Sequence, residues 1–285
     1  MRQIRFLWPV LCSAAILSGC SDARPAPTGP AQRDVTELDA SALSDRKSLG
    51  RRNDVQIVRA TGDITSAVNQ FRALLGDLNP NVAGEQPGGR REINWDGVPA
   101  ALTNVDNFPG NFFNVNSPRG VLFTTDGTGF RNSDNGFVDV NAQYAGEFNT
   151  FSPAKLFVAV GGTSIDVRFV VAGSNTPALV NGFGSVFADV GRANSAIIEY
   201  FDADGRRLLA VAAPRRSDAK GLSFAGATFD SRVVARVRIT SGDTPIGAAS
   251  FDNVKGAGRK TDIVAMHDFI YGEPRSTTLP STVAP

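Results

Sequence analysis

Glu92, Asn94 and Asp96 alternate with Ile93 and Trp95 in Gly88-Gly89-Arg90-Arg91-Glu92-Ile93-Asn94-Trp95-Asp96-Gly97-Val98-Pro99, the densest patch of informative residues in the chain. Alternate side chains of an extended strand point to opposite faces. One face would carry three oxygen-bearing groups and the other an aliphatic side chain and an indole. Hard cations such as calcium are held by such oxygens, so this strand could supply half of a cation site.

Other groups point to chemistry less strongly. Asp202-Ala203-Asp204-Gly205 resembles the start of a calcium loop, but Ala213 stands where the twelfth position requires a bidentate Glu. With strand-like residues on both sides, it reads as a hairpin turn. His267 is the single histidine, next to Asp268. Strand neighbours face opposite ways, so Asp268 is not expected to orient His267 as a triad carboxylate would. No Gly-x-Ser-x-Gly elbow occurs. Glu92 and Asp96 on one strand face lie roughly 13 Å apart, too far for a glycoside-hydrolysing pair. Gly161-Gly162-Thr163-Ser164 lacks the lysine-bearing helical continuation of a phosphate loop and reads as a turn.

The start of the chain speaks to location. Arg2 and Arg5 precede an apolar run from Phe6 to Leu17, then Leu17-Ser18-Gly19-Cys20. A charged start, a short apolar core and small residues at the cut describe an export signal. The run falls short of the roughly 20 residues that span a bilayer. Its ending resembles a bacterial lipobox, which makes Cys20 the lipidation site. Ser21, not Asp, follows Cys20, which departs from the inner-membrane retention pattern. In a Gram-negative source the expected destination is the outer membrane, on either its periplasmic or its outer side. The other cysteine, Cys12, lies inside the signal, so no thiol remains for a disulfide, a zinc site or nucleophilic catalysis. Without the signal's two arginines, 27 basic residues face 28 acidic ones. That balance argues against a nucleic-acid partner.

The elements that must position these groups follow from periodicity. Residues 21–53 are Pro-, Ala- and Ser-rich with few large apolar side chains, and read as a tether. Ile64, Ala67, Val68, Phe71, Leu74 and Leu75 recur at helical spacing, with Asp63 to cap the start and Gly76 the end. Five Asn and three Phe between Thr103 and Ser117 suggest irregular structure pinned by aromatics. From Val121 onward strand patterns alternate with turns, as in Ser164–Val171, where Ile165, Val167, Phe169 and Val171 oppose Asp166 and Arg168. Nine to eleven strands with one early helix predict an all-β fold, a jelly-roll-type antiparallel β-sandwich with one short N-terminal amphipathic helix. Nineteen Phe against two Trp suit a packed core better than a groove of sugar-stacking indoles. The expected layout is a signal over 1–19, a tether over 20–53, a sandwich over 54–275 and a tail over 276–285.

From about Val68 to Pro274 the chain resembles a widespread family of uncharacterised exported bacterial proteins. The matching residues include Phe71-Arg72-Ala73, the Gly89–Pro99 stretch, Gly182-Phe183-Gly184, Glu199-Tyr200-Phe201-Asp202 and Asp268-Phe269-Ile270-Tyr271-Gly272-Glu273-Pro274. The resemblance implies a secreted jelly-roll domain similar to galactose-binding-like and other carbohydrate-binding modules, with no catalytic residues. Such modules often hold calcium where their first and last strands meet. This implies a site built from Glu92, Asn94 and Asp96 with Asp268. The plainer reading, which these residues favour, is that the same groups pair with Arg90 or Arg91 and cap turns. The family often has a carboxylate where this chain has His267, which weakens a metal role there. The expected function is a non-catalytic, lipid-anchored envelope module that binds a glycan or another extracellular polymer. The alternatives are a structural lipoprotein whose partner is an envelope protein and, behind it, an exported carbohydrate-active enzyme. Oligomeric state is not legible.

Overall fold

The structure is a computed structural model that describes residues 54–216, 221–253 and 260–277. The expected signal, Cys20, the tether and residues 278–285 of the expected tail lie outside the described residues. Two antiparallel sheets face each other as the expected sandwich. The larger sheet contains β1 (Val55–Thr61), β11 (Leu222–Phe229), β8 (Gly182–Ala188), β13 (Ala265–Gly272), β5 (Leu156–Val160) and β4 (Gly129–Ser133) in that order, with β2 (Arg90–Ile93) also paired to β13. The smaller sheet runs β10 (Arg207–Ala212), β9 (Ala196–Phe201), β12 (Arg236–Ser241), β6 (Ser164–Phe169) and β3 (Val121–Thr125). A two-stranded ribbon pairs β7 (Ala178–Leu179) with β14 (Arg275–Ser276), so pairing continues one residue into the expected tail.

Alternation decides which side chains enter the core. Ile165, Val167 and Phe169 of β6 are buried against Ile198, Tyr200, Val237 and Ile239 of the same sheet and Phe183, Phe187 and Phe269 of the other. Tyr200 donates to the Phe183 carbonyl across the layers at 2.8 Å. Burial raises the pKa of its phenol, which stays protonated.

Helix α1 (Thr65–Leu75) lies on the outer face of the larger sheet, burying Val68, Phe71 and Leu75 against Val58, Val186, Phe224 and Ile270. The Asp63 carboxylate accepts from the Thr65 N–H at 3.0 Å, and Gly76 ends the helix at φ 94°. Phe71 packs so close to the sheet that a Cβ on Gly184 or Gly226 would lie 2.8 or 2.9 Å from its ring. The segment between β4 and β5 covers more of this face, through Phe137, Tyr144 and Phe148.

Three sequence-based expectations change. The strand expected through Asp96 ends at Ile93, because Trp95 turns the backbone to φ 67°. β4, with the polar sequence Gly-Phe-Arg-Asn-Ser, was not expected at all. The Asn/Phe-rich stretch holds a short helix, α2 (Phe112–Val115), whose phenylalanines reach the core.

Candidate functional site

The strand that opens the Arg90–Pro99 stretch meets the last long strand. β13 pairs with β2, with Phe269 opposite Ile93 and Tyr271 opposite Arg91. Trp95 stacks on Phe157 at 3.8 Å and lies edge-on to Phe269 at 5.2 Å. Its indole N–H donates to the His267 carbonyl at 3.0 Å.

Around this junction the expected cation ligands are brought partly together. Arg72 from α1 grips Glu92 with two bonds of 2.9 and 2.8 Å, and Arg90 adds a third at 2.6 Å. The same Arg72 lies 3.8 Å from Asp268. Ser152 lies within hydrogen-bond distance of both Asp268, at 3.0 Å, and Asp96, at 3.1 Å. Asp96 also accepts from the Lys155 N–H. Asn94 is exposed and faces away, lining a cavity of about 330 Å³ with Trp95, Phe112, Phe113 and Arg119. A guanidinium thus stands between Glu92 and Asp268, where a divalent cation would need their free oxygens. These four residues fit calcium poorly. Of the two arginines expected to pair there, only Arg90 does so.

Arg91 turns the other way. It is fully buried and makes two bonds to the equally buried Glu273, at 2.7 and 2.8 Å. Its remaining N–H groups reach the carbonyls of Pro80, Val82, Gly84 and Pro118. Glu273 also accepts from the Asn79 side chain and the Gln86 N–H. Such full satisfaction is what a buried ion pair requires. The most distinctive residues of the two end stretches therefore form a structural latch.

The expectation that Asp268 cannot orient His267 fails. Between Met266 and Phe269 the β13–β8 register slips, with three steps on β13 against two on β8. This bulge breaks the alternation. His267 Nδ1 then lies 2.7 Å from Asp268 Oδ1, with both residues buried. His267 Nε2 is buried with no hydrogen-bond partner among the described residues. Ser152 bonds the carboxylates rather than the imidazole, so the three do not line up as a nucleophilic triad.

A different acidic group was missed in the sequence. Carboxylate oxygens of Glu147, Asp189 and Asp252 lie within 4.8 Å of one another. Asp189 is buried at φ 63°. Burial first, then sharing a proton with Glu147 and the charges of Asp252 and Asp262, push its pKa up to about 8. Asp262 is also raised by burial, against bonds from the Gly191 and Arg192 N–H groups. Three carboxylates this close together are a better start for a hard-cation site than the Arg-filled junction. No local spacing could have shown this, since the residues come from distant segments.

Among the described residues, nothing covers the outer face of the smaller sheet. Cα register aligns Leu122, Arg168, Arg236, Phe201 and Arg207 across its five strands. The next row holds Thr124, Asp166, Arg238, Glu199 and Ala210. Asp166 accepts from both Arg236 and Arg238, and Glu199 from Arg207. Burial alone would raise the Asp166 pKa, but the two guanidiniums hold it below the usual carboxylate value. A cavity of about 320 Å³ opens beside the Arg168–Arg236 pair, lined also by Leu179, Asp202 and Gly205.

No protein-family model matches the chain, and no curated protein matches it. Among solved structures, it is similar to the enzymatically active domain of bacteriophage CBA120 tailspike protein 4, at 15% identity and a TM-score of 0.26. The match covers 62% of this chain and 22% of that one.

Proposed function

We propose that this protein is a binding module of the bacterial envelope, tethered through a lipidated Cys20, whose ligand is an extracellular polymer. The carrying observation is the asymmetry of the sandwich. The outer face of the larger sheet is covered by α1 and by the segment containing Phe137, Tyr144 and Phe148. That of the smaller sheet is polar and open, beside a cavity large enough for a small ligand. The described lining of that cavity supplies one carboxylate, Asp202, where glycoside hydrolysis uses two. This favours binding over hydrolysis. No described helix is long and apolar enough to cross a membrane, and a lipid at Cys20 would provide the attachment. Calcium, where it contributes, would be held by Glu147, Asp189 and Asp252, and would act on stability rather than on the open face.

Two measurements test this reading. Metabolic labelling with palmitate should mark the wild-type chain and not Cys20→Ser; an unlabelled wild-type chain removes the anchor. Pull-down of the protein with envelope polysaccharides should retain it, whereas failure with every polymer, alongside cross-linking to one envelope protein, would replace this function with the structural alternative.

A further inference from the structure

The open sheet face carries an electrostatic feature that the fold itself does not need. Arg168 and Arg236 sit directly opposite each other in the β6–β12 register. Like charges at opposed positions destabilise a sheet. Asp166 compensates Arg236, and it is shared with Arg238. Arg168 is exposed and makes no ion pair among the described residues. Across the two rows, four arginines face two carboxylates. Asp126 lies near Arg238, and Asp202 at the far end is taken up by Arg206. The centre of the face therefore keeps an excess of positive charge on a chain that is nearly neutral as a whole. A locally unfavourable arrangement without a structural return is the mark of a functional surface.

The arginines are also prepared for binding. The Arg236 guanidinium carbon lies over the Phe201 ring, 3.9 Å from its centroid. This cation–π contact restrains the side chain and lowers the entropy lost when an anion docks. Arg168 and Arg236 both border the 320 Å³ cavity, and Arg207 stands at the other end of the row. Three strand spacings separate Arg168 from Arg207, roughly 14 Å. That is the reach of an extended chain with repeated charges rather than of one small anion. Guanidinium forks match carboxylate and sulfate oxygens in pairs.

Resting on the binding-module reading above, we propose that the ligand is an anionic polysaccharide, laid across β6, β12, β9 and β10 with its acidic groups held by Arg168, Arg236 and Arg207. One sugar unit or branch enters the neighbouring cavity. A general field attractive to nucleic acid is absent from the near-neutral chain, so spaced acidic groups meeting a local patch are the better complement.

The test is affinity electrophoresis of the full chain through gels containing polygalacturonate, dextran sulfate or neutral dextran, with single-stranded DNA and anionic vesicles as further arms. Retention by the acidic polysaccharides, weakening with added salt, is expected, with none by dextran. Arg168→Ala and Arg207→Ala should each weaken retention about tenfold, and Arg168→Lys less than Arg168→Ala. The melting temperature should stay unchanged, because both side chains are exposed. Equal retention by neutral dextran, or unchanged binding in the double Arg168→Ala/Arg207→Ala variant, would overturn the anionic assignment but leave the binding module standing. Binding confined to vesicles or DNA would overturn the assignment to a polysaccharide. No binding to any polymer would remove the module reading together with this one.

Discussion

At the residue scale, Asp189 makes the most distinct prediction. Its folded pKa of about 8 lies well above the ordinary 3.8. Between those values the native state holds a proton that the unfolded chain has released, so stability falls as pH rises through that window. The melting temperature should be higher at pH 5 than at pH 8, and Asp189→Asn should flatten the difference by raising the pH 8 value by a few degrees. Asn also tolerates the left-handed backbone at this position. A pH 8 melting temperature equal to or above the pH 5 value would refute the assignment. Added calcium at pH 8 should raise the wild-type melting temperature and leave Asp189→Asn unmoved. Trp95 carries the second prediction. Its ring contacts five phenylalanines, so Trp95→Ala should cost about 3–5 kcal/mol in denaturant unfolding. The sequence showed that Trp95 is apolar and near a strand. It did not show the positive φ that carries Asp96 out of the expected face, because that turn is set by the aromatic cluster it enters.

At the element scale, two junctions decide whether the sheets close. The Arg91–Glu273 pair fastens β2 to the end of β13. Breaking it with Arg91→Ala leaves a buried carboxylate without its main partner and should cost about 3–5 kcal/mol. Replacing both partners by apolar residues should cost less than breaking the pair, which a double-mutant cycle measures. The second junction is α1 on β8 and β11. Gly184→Ala or Gly226→Ala would push Phe71 off the sheet, at about 1–3 kcal/mol each by thermal melting. Elements with strong periodicity were legible in sequence: β6 by its Ile165/Val167/Phe169 alternation, and α1 by its apolar stripe and Gly76. The bulge at His267 and Asp268 was not, since a bulge is defined by the partner strand's register and leaves no local mark. β4 was missed because Arg131 and Asn132 are buried polar residues, with Arg131 engaged by Asp106 and Asp139, and such residues do not read as a strand.

At the scale of the whole molecule, the described sandwich is held by packing and polar networks rather than by disulfides. Both cysteines precede the described body, so reductant should leave the melting temperature unchanged; a shift of several degrees would mean a disulfide contributes. The two faces of the sandwich divide the work. The larger sheet is covered on its outer side and fixes the architecture. The smaller sheet, with its core side chains matched to the other layer, leaves its second surface free for charge.

β13 occupies the middle of the larger sheet, between β8 and β5, yet it is the last long strand synthesised. A ribosome emitting this chain therefore produces two unfinished half-sheets waiting for a wedge that arrives only at the end. A premature stop upstream of Ala265 should therefore leave fragments open to proteases rather than a shortened domain with a closed sheet.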